Sequence, residues 1–405
     1  MINIIDKHNC CGCAACMQSC PKQCISFEED GQGFRYPVVD KDQCIDCGLC
    51  EKVCHVLNPN EPRIPLKVFA AINPNEEIRL KSSSGGIFTL LAATVIAEGG
   101  CVFGARFDEN LDVVHDYVET IKGLDAFRGS KYVQSRIGET YRRALEFLKQ
   151  GRKVLYTGTS CQIAGLMKYL RKDYDNLITV DVVCHGVPSP GVWRKYLEEV
   201  KSERSGWKKS VLSSSLKIIP TITDINFREK QLGGYSWKKF GFVVYKSPSK
   251  NYQNSTLLST IYNQDLYMKF FLNNLSLRPS CYKCPAKSGK SCADITLADF
   301  WGYDLKYSRW LDDKGVSLVL GYSSKGCGLL EMLPDIEETD YEYALKYNPP
   351  IEHCVSETEY VSVFWKKYAE GGIRAASKVN KYFEVSFNHR LIEWLKRNIV
   401  KRIVK

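Results

Sequence analysis

The alternation of apolar and polar positions predicts a series of helices and strands after residue 84. Residues 85–100, GGIFTLLAATVIAEGG, predict a buried helix that ends at its final glycine pair and leads into the strand CVFGARF. Residues 138–151 place Tyr141, Leu145 and Leu148 on one face, as an amphipathic helix does. These segments indicate a domain in which helices pack on strands.

The following segments alternate between strand and helix. Strand KVLYTG is followed by helix QIAGLMKYLRK, strand LITVDVVC and a helix from about Ser189. Right-handed crossovers would join these strands into a parallel or mixed sheet, with ligands at the strand carboxyl ends. Residues 221–247 alternate with a period of two and predict a hairpin.

A proline-rich segment divides the chain. Residues 55–67 contain three prolines and predict an extended linker, with a boundary near residue 63. The expected fold class is an α+β ferredoxin-like N-terminal domain (1–62), then an α/β domain with a mixed sheet (67–345) and a helical, basic C-terminal tail (346–405).

The tail has an imperfect apolar arc, interrupted by Asn398 and Arg402. The arc consists of Leu391, Ile392, Leu395, Ile399 and Ile403. A packing or solvated helix is favoured, and contact of the basic tail with a membrane surface is the alternative.

Composition narrows the class of protein. No run of eighteen apolar residues and no secretory signal is found, so we expect a cytoplasmic protein whose thiols are reduced. Eighteen cysteines in that compartment indicate metal or redox chemistry. The formal charge of +10 would fall by about two for each 4Fe–4S cluster held by four thiolates, so no nucleic-acid partner is expected.

Ten cysteines lie within the first 54 residues, and eight of them repeat the spacing C-x2-C-x2-C-x3-C. In two-cluster ferredoxins the fourth cysteine of each run ligates the other cluster. Ligand set I is therefore Cys10, Cys13, Cys16 and Cys54, and ligand set II is Cys44, Cys47, Cys50 and Cys20. Structural zinc is the alternative. Cys11 and Cys24 fall outside this register and are interpreted as small buried residues.

Further motifs follow in the order SSSGGIFTLL, RGSKYVQS, GTSCQIAGL, VCHGVPSP and CYKCP…ADITLADFWG. With them the sequence resembles the coenzyme F-420 hydrogenase/dehydrogenase beta-subunit family, and the fusion to a ferredoxin domain is similar to members found in bacterial polysaccharide gene sets. The resemblance implies FAD and a third 4Fe–4S cluster. Its ligands, here ligand set III, would be Cys161, Cys184, Cys281 and Cys284. Buried thiols are the alternative for Cys161 and Cys184, and Cys292 is an alternative ligand.

The segment KSSSGGIF precedes the first predicted helix, where free N–H groups suit a pyrophosphate. An ordinary helix cap is the alternative. Together with the resemblance, this favours flavin contacts at Ser82, Ser83, Ser84, Gly85 and Gly86. Two further groups of flavin candidates are Arg128, Lys131 and Tyr132, for which a surface turn is the alternative, and the loop Gly158, Thr159 and Ser160. No G-x-G-x-x-G follows a strand, so no nicotinamide site is expected.

His185 follows a predicted ligand and is the candidate catalytic residue, with a structural histidine as the alternative. We expect an oxidoreductase that passes electrons from an external donor, such as reduced ferredoxin, to a small organic substrate, with a role in polysaccharide biosynthesis. The alternatives are a subunit of a hydrogenase or dehydrogenase complex that reduces or oxidises coenzyme F-420, and an electron relay without a substrate of its own.

Overall fold

The computed structural model describes residues 1–204, 221–247 and 255–383. Its cysteine-rich N-terminal region contains two short helices, α1 (Ala15–Ser19) and α2 (Leu49–Lys52), and an antiparallel pair of strands, β1 (Ile25–Glu29) and β2 (Arg35–Val39). Each helix carries one cysteine of one of the two runs, Cys16 in α1 and Cys50 in α2. This small region confirms the α+β arrangement predicted for the N-terminus.

An eight-stranded mixed sheet forms the centre of the main domain. In spatial order its strands are β13 (Ile336–Glu338), β3 (Lys67–Ala71), β12 (Ser317–Gly321), β11 (Ile295–Asp299), β7 (Leu177–Val182), β6 (Val154–Thr159), β4 (Cys101–Phe107) and β5 (Val113–Val118). Strands β11, β7, β6 and β4 are parallel, and their neighbours on both sides are antiparallel. The predicted mixed sheet is therefore confirmed.

Helices cover both faces of this sheet and connect its strands. They are α3 (Glu76–Lys81), α4 (Ile87–Ala97), α5 (Thr140–Lys149), α6 (Ser160–Leu170), α7 (Pro190–Arg204), α8 (Leu266–Leu272), α9 (Tyr303–Lys306), α10 (Ser324–Glu331), α11 (Tyr341–Tyr347) and α12 (Tyr360–Ser377). Short 3-10 helices span Lys7–Asn9, Lys122–Ala126, Pro279–Lys283, Pro349–Ile351 and Lys378–Tyr382. The predicted buried helix is α4, and the predicted amphipathic helix is α5, in which Tyr141 and Leu148 are buried.

A second, antiparallel sheet has the order β10-β9-β8, with β8 at Ile222–Glu229, β9 at Gly241–Lys246 and β10 at Ser255–Ile261. Strands β8 and β9 confirm the predicted hairpin, and β10 adds a strand that the pattern did not indicate. Phe227 and Phe242 of this sheet share an apolar core with Trp193 of α7.

The beginning of the predicted tail packs on the main domain. Phe364 and Ile373 of α12 are fully buried in the core shared with the second sheet. The predicted boundary at residue 346 falls inside α11. Residues 389–405, with the apolar arc, lie outside the described residues. In the part of the chain that is described, no helix is long and apolar enough to cross a membrane.

Candidate functional site

The thiols of ligand set II surround a cavity of about 20 Å³ at the N-terminal end of the molecule. All four of its cysteines line this cavity, and so does Cys24. The Cys24 sulfur lies 3.4 Å from that of Cys20, and this contact raises the pKa of Cys24 to about 11. Cys47 is exposed. Cys24 is buried as expected, but it is also in contact with a predicted ligand.

Ligand set I lies between the N-terminal strands and the main domain. Burial raises the pKa of Cys16, and the thiols of Cys10 and Cys54 raise it further because they lie close to it. Cys13 packs against α6, since a Cβ atom on Gly165 would lie only 2.9 Å from the Cys13 Cβ. The glycine therefore lets the helix approach this ligand set closely.

Cys11 connects ligand sets I and III. Its sulfur lies 3.0 Å from Nε2 of His55, which is buried at the position after Cys54. A hydrogen bond between Cys11 and Cys161 is the largest cause that raises the pKa of Cys161. The residue outside the register is thus buried between two predicted ligand sets.

Ligand set III brings together cysteines from three distant segments. Cys161 lies in the first turn of α6 and Cys184 follows β7, so both stand at the carboxyl ends of adjacent strands. Burial raises the pKa of Cys281, and the thiols of Cys184 and Cys161 raise it further. Burial, followed by the Cys161 thiol, raises the pKa of Cys284 to about 12. These four thiols lie close enough to oppose each other's ionisation.

The donor chemistry fits iron–sulfur clusters better than zinc. Four thiolates at about 2.3 Å from one zinc ion would lie about 3.8 Å apart. Among the described residues, only one group of three His, Cys, Asp or Glu side chains has donor atoms all within 4.8 Å of one another. It consists of Cys11, Cys13 and His55. No predicted ligand set is as compact as a single tetrahedral ion requires. Buried thiols that oppose each other's ionisation become thiolate ligands only when a positive group lies between them.

A second cavity, of about 710 Å³, opens at the carboxyl ends of the parallel strands. Nine of the eleven predicted flavin residues line it, namely Ser82, Ser83, Ser84, Gly86, Arg128, Lys131, Tyr132, Gly158 and Thr159. Cys184 of ligand set III and His185 line the same cavity. Gly85 and Ser160 do not line it. The amide of Gly85 donates instead to Ser317 Oγ at 3.0 Å.

Two helix N-termini meet this cavity, and they differ in their caps. The first helical residues of α4, Ile87 and Phe88, line the cavity, and no side chain caps this helix. At α6 the N-cap amide of Thr159 donates to Oε1 of Gln162 at 2.9 Å. The uncapped N–H groups of α4 suit a phosphate group, whereas the end of α6 is partly satisfied by its own side chains.

Hydrogen bonds fix the loops on this side of the cavity. The amide of Ser130 donates to Ser83 Oγ at 2.7 Å, which joins the first two predicted flavin segments. Lys230, which the sequence did not single out, is buried and donates to the carbonyl oxygens of Arg79, Ser84 and Lys314. Burial is the largest cause that lowers the pKa of Lys230 to about 7. Through the carbonyl of Ser84, Lys230 holds residues 82–86, here called the serine loop.

The opposite side of the cavity holds a buried ion pair. Arg228 donates to Asp299 at 2.8 Å, and its guanidinium lies 4.1 Å from the Phe240 ring centroid. The indole of Trp237 donates to the same carboxylate at 2.9 Å and stacks on Trp301. Sequence reasoning missed Arg228, because nothing in its local pattern separates a buried arginine from an exposed one.

His185 lies between ligand set III and the cavity. Its Nε2 is 2.7 Å from Oδ1 of Asn274, an acceptor, so the neutral ring carries its proton on Nε2. Burial lowers the pKa of His185. The imidazole is therefore neutral at pH 7 and held in a fixed orientation. Cys292, the alternative ligand, makes no sulfur hydrogen bond to ligand set III among the described residues.

Comparisons with known protein families agree with the two parts of the molecule. Residues 151–342 match the model described as the C terminus of the coenzyme F-420 hydrogenase/dehydrogenase beta subunit. Residues 9–57 match the model of a 4Fe–4S dicluster domain.

Individual relatives are similar over shorter stretches. The "Ferredoxin 7Fe" of Hydrogenibacillus schlegelii is 49% identical over 43 residues, which are 11% of this chain and 49% of that protein. The "Ferredoxin" of Saccharopolyspora erythraea is 36% identical over 55 residues, which are 14% of this chain and 41% of that protein. This chain thus spans less than half the length of either relative.

Among solved structures, a chain of the F-420-reducing [NiFe] hydrogenase complex from Methanosarcina barkeri has a TM-score of 0.43 and 17% identity. That match covers 79% of this chain and 93% of the other.

Proposed function

We propose that this chain is an iron–sulfur flavoprotein oxidoreductase, because residues 151–342 match the C terminus of the coenzyme F-420 hydrogenase/dehydrogenase beta subunit and residues 9–57 match a 4Fe–4S dicluster domain. It would take electrons from an external donor such as reduced ferredoxin and deliver them to a small organic substrate. The observation that carries the proposal is the cavity of about 710 Å³, which is lined both by the predicted flavin residues and by Cys184.

The proposal assigns the cofactors to the residues already described. Ligand sets I, II and III would each hold a 4Fe–4S cluster, and the cavity would hold FAD. When bound, these groups supply single-electron transfer and its conversion to two-electron chemistry. The uncapped end of α4 and the ammonium of Lys131 would bind the phosphates. The rings of Tyr132 and Phe271, stacked on each other with centroids 4.7 Å apart, would cover one side of the flavin.

The exposure of the cysteines in ligand sets II and III supports a position for the contact with the external electron donor. Cys47 of ligand set II is exposed, whereas Cys184 of ligand set III is part-buried and lines the cavity. We therefore place the contact with the external donor at the Cys47 surface.

His185 would act at the large cavity, where its fixed imidazole faces the space for the substrate. The domain limits 1–62, 67–345 and 346–405 and a cytoplasmic location belong to the same proposal.

Two views of the substrate remain within this proposal. An organic substrate in polysaccharide biosynthesis is the first, and it rests on the fusion of a ferredoxin domain to the family domain. Coenzyme F-420 is the second, and the description of the matched family favours it. Reduced protein that is re-oxidised on addition of F-420 alone would support the second view over the first.

The direct test is anaerobic purification followed by iron, sulfide and flavin analysis. We expect about twelve iron atoms per chain, as three 4Fe–4S clusters require, together with one FAD. Reduced ferredoxin should bleach the flavin absorbance. A colourless protein with stoichiometric zinc, or an iron-loaded protein that never binds flavin, would contradict the proposal.

A further inference from the structure

Arg278 is a buried cation between ligand sets I and III. Its side chain is 1% exposed, and the residue stands directly before the 3-10 helix Pro279–Lys283, which carries Cys281. Its own amide donates to the carbonyl of Val187 at 2.9 Å, in the loop that follows Cys184. The backbone of Arg278 therefore belongs to the main domain, beside ligand set III.

The guanidinium of Arg278 reaches the opposite way, into the N-terminal domain. Its Nε donates to the carbonyl of Cys10 at 2.7 Å, and one Nη donates to the carbonyl of Arg35 at 3.0 Å. The same Nη lies 3.6 Å from the Cys10 sulfur. The other Nη donates to Gln134, whose amide donates in turn to the Cys11 carbonyl. One side chain thus holds the loop that begins ligand set I.

Aromatic rings and a glycine surround the guanidinium of Arg278. The centre of the group lies 4.2 Å from the ring centroid of Tyr36 and 5.4 Å from that of Phe34. On the other side lies Gly12, which has a φ of +70° and where a Cβ atom would come within 3.0 Å of an Arg278 Nη atom. The aromatic face and the glycine leave a slot that a planar cation fills.

Among the residues that the structure describes, the charge of Arg278 has no carboxylate partner. Within the described residues no Asp or Glu oxygen lies within 4.0 Å of it, although buried arginines are almost always paired with an acid. The neighbouring groups that become negative on ionisation are the thiols of Cys10, Cys11 and Cys281 and the phenol of Tyr36. A cluster held by thiolates would supply the missing negative charge.

We propose that Arg278 is a positioning residue that holds ligand set I against the main domain and raises the reduction potential of the 4Fe–4S cluster bound there. The inference rests on the proposed function in one respect, that ligand set I binds such a cluster. Reduction adds one negative charge to the cluster, and a buried positive charge with an N–H···S contact favours the more negative state. Ligand set II has no corresponding contact from Arg278 and serves as the internal reference.

The experiment uses the full chain, purified anaerobically, with the variants Arg278→Met and Arg278→Lys. Arg35→Met is the matched control, because Arg35 begins β2, its carbonyl accepts from Arg278, and its own side chain is exposed and also carries one positive charge. Potentials of the individual clusters are measured by redox titration followed by electron paramagnetic resonance. Iron content and thermal unfolding are measured on the same samples.

In Arg278→Met we expect the equilibrium constant for reduction of one N-terminal cluster to fall at least tenfold. This corresponds to a reduction potential lower by about 59 mV for one electron. In Arg278→Lys the same equilibrium constant should fall by about threefold, because the charge remains while the planar hydrogen-bonding geometry is lost. Arg35→Met should leave both N-terminal potentials unchanged. Full iron content with unchanged potentials in Arg278→Met, or equal shifts in both N-terminal clusters, would overturn the inference.

If Arg278→Met fails to fold, Arg278→Lys decides, and a lysine variant with the wild-type potential would also overturn the inference. A failure of the proposed function looks different, because wild-type protein would then lack N-terminal iron altogether. An absence of flavin with both N-terminal clusters present would contradict the flavoprotein proposal and leave the test of Arg278 intact.

Discussion

The two chemical regions of this molecule are assembled in opposite ways. Ligand sets I and II come from 45 consecutive residues, from Cys10 to Cys54, and little regular structure surrounds them. Ligand set III and the large cavity collect residues from 82 to 350, and the mixed sheet places them together. The first region depends on spacing along the chain, and the second depends on long-range strand pairing. Changes to each should therefore have separable effects.

The largest separable effect is expected for ligand set III. Cys281→Ser should remove about four of about twelve iron atoms and abolish electron delivery to the cavity, because a buried serine is a poor ligand for the cluster. The N-terminal clusters should stay, since none of their proposed ligands changes. Iron analysis and visible absorbance measure both effects.

Cys292→Ser is the matched control and should retain all the iron. If the Cys292 variant loses four iron atoms instead of the Cys281 variant, the assignment of ligand set III is wrong.

Stability should also separate the regions. Asp299→Asn leaves the buried guanidinium of Arg228 without its carboxylate, and breaking such a pair costs about 3 kcal/mol or more. We expect a clear fall in the thermal unfolding temperature of the main domain, with the N-terminal iron signals unchanged. Asp304→Asn, which breaks the more exposed pair with Lys238, should cost less than about 1 kcal/mol. Equal costs for the two variants would show that the Arg228 pair contributes no special stability.

Local pattern predicted the parts of the fold that are encoded locally. The apolar run before Gly99 became α4, and the alternation around Cys161 became β6, α6 and β7. The position of β12 between β3 and β11, antiparallel to both, was beyond that reasoning, because it depends on strands almost 250 residues apart. Strand β10 was missed for a different reason, since an irregularity between Thr256 and Leu258 breaks its alternation and leaves both Leu257 and Leu258 buried.

The site shows the same division. Regular cysteine spacing indicated ligand sets I and II, and the family motifs indicated the serine loop and ligand set III. Arg278 and Lys230 escaped notice because a basic residue in a short polar segment usually lies in water. The burial of Arg278 exists only after the N-terminal region and the main domain have packed together. That of Lys230 exists only after the end of β8 has packed on the carbonyls of Arg79, Ser84 and Lys314.

The serine loop offers a smaller and more specific effect. Gly86 has a φ of +85° at the start of α4, and a Cβ atom there would lie 3.1 Å from that of Asn73. Gly86→Ala should cost about 1 kcal/mol through the left-handed backbone and weaken FAD binding about tenfold by displacing the α4 N-terminus. Gly99→Ala is the matched control, because Gly99 has a φ of +75° just after the other end of α4 and has open space around it.

Fluorescence titration of FAD into flavin-depleted protein measures the binding, and thermal unfolding measures the stability. Gly99→Ala should lose stability alone. If both alanine variants bind FAD as the wild type does, the α4 N-terminus does not contact the flavin.

The smallest expected effect is a pH dependence of flavin binding. Burial lowers the pKa of Lys131 to about 8, so its ammonium is charged at pH 7 and loses the charge as the pH rises through 8. Attraction to a phosphate should fall in that window, and we expect FAD binding to weaken roughly threefold between pH 7 and pH 9.5. The stability of the flavin-free protein should rise in the same window, because the unfolded chain keeps the proton up to about pH 10.4. Lys131→Met should remove both slopes, whereas Lys81→Met, at an exposed site beside the serine loop, should keep them. Opposite slopes of binding and stability, both lost with Lys131, would distinguish a phosphate contact from a general effect of alkaline pH on the cavity.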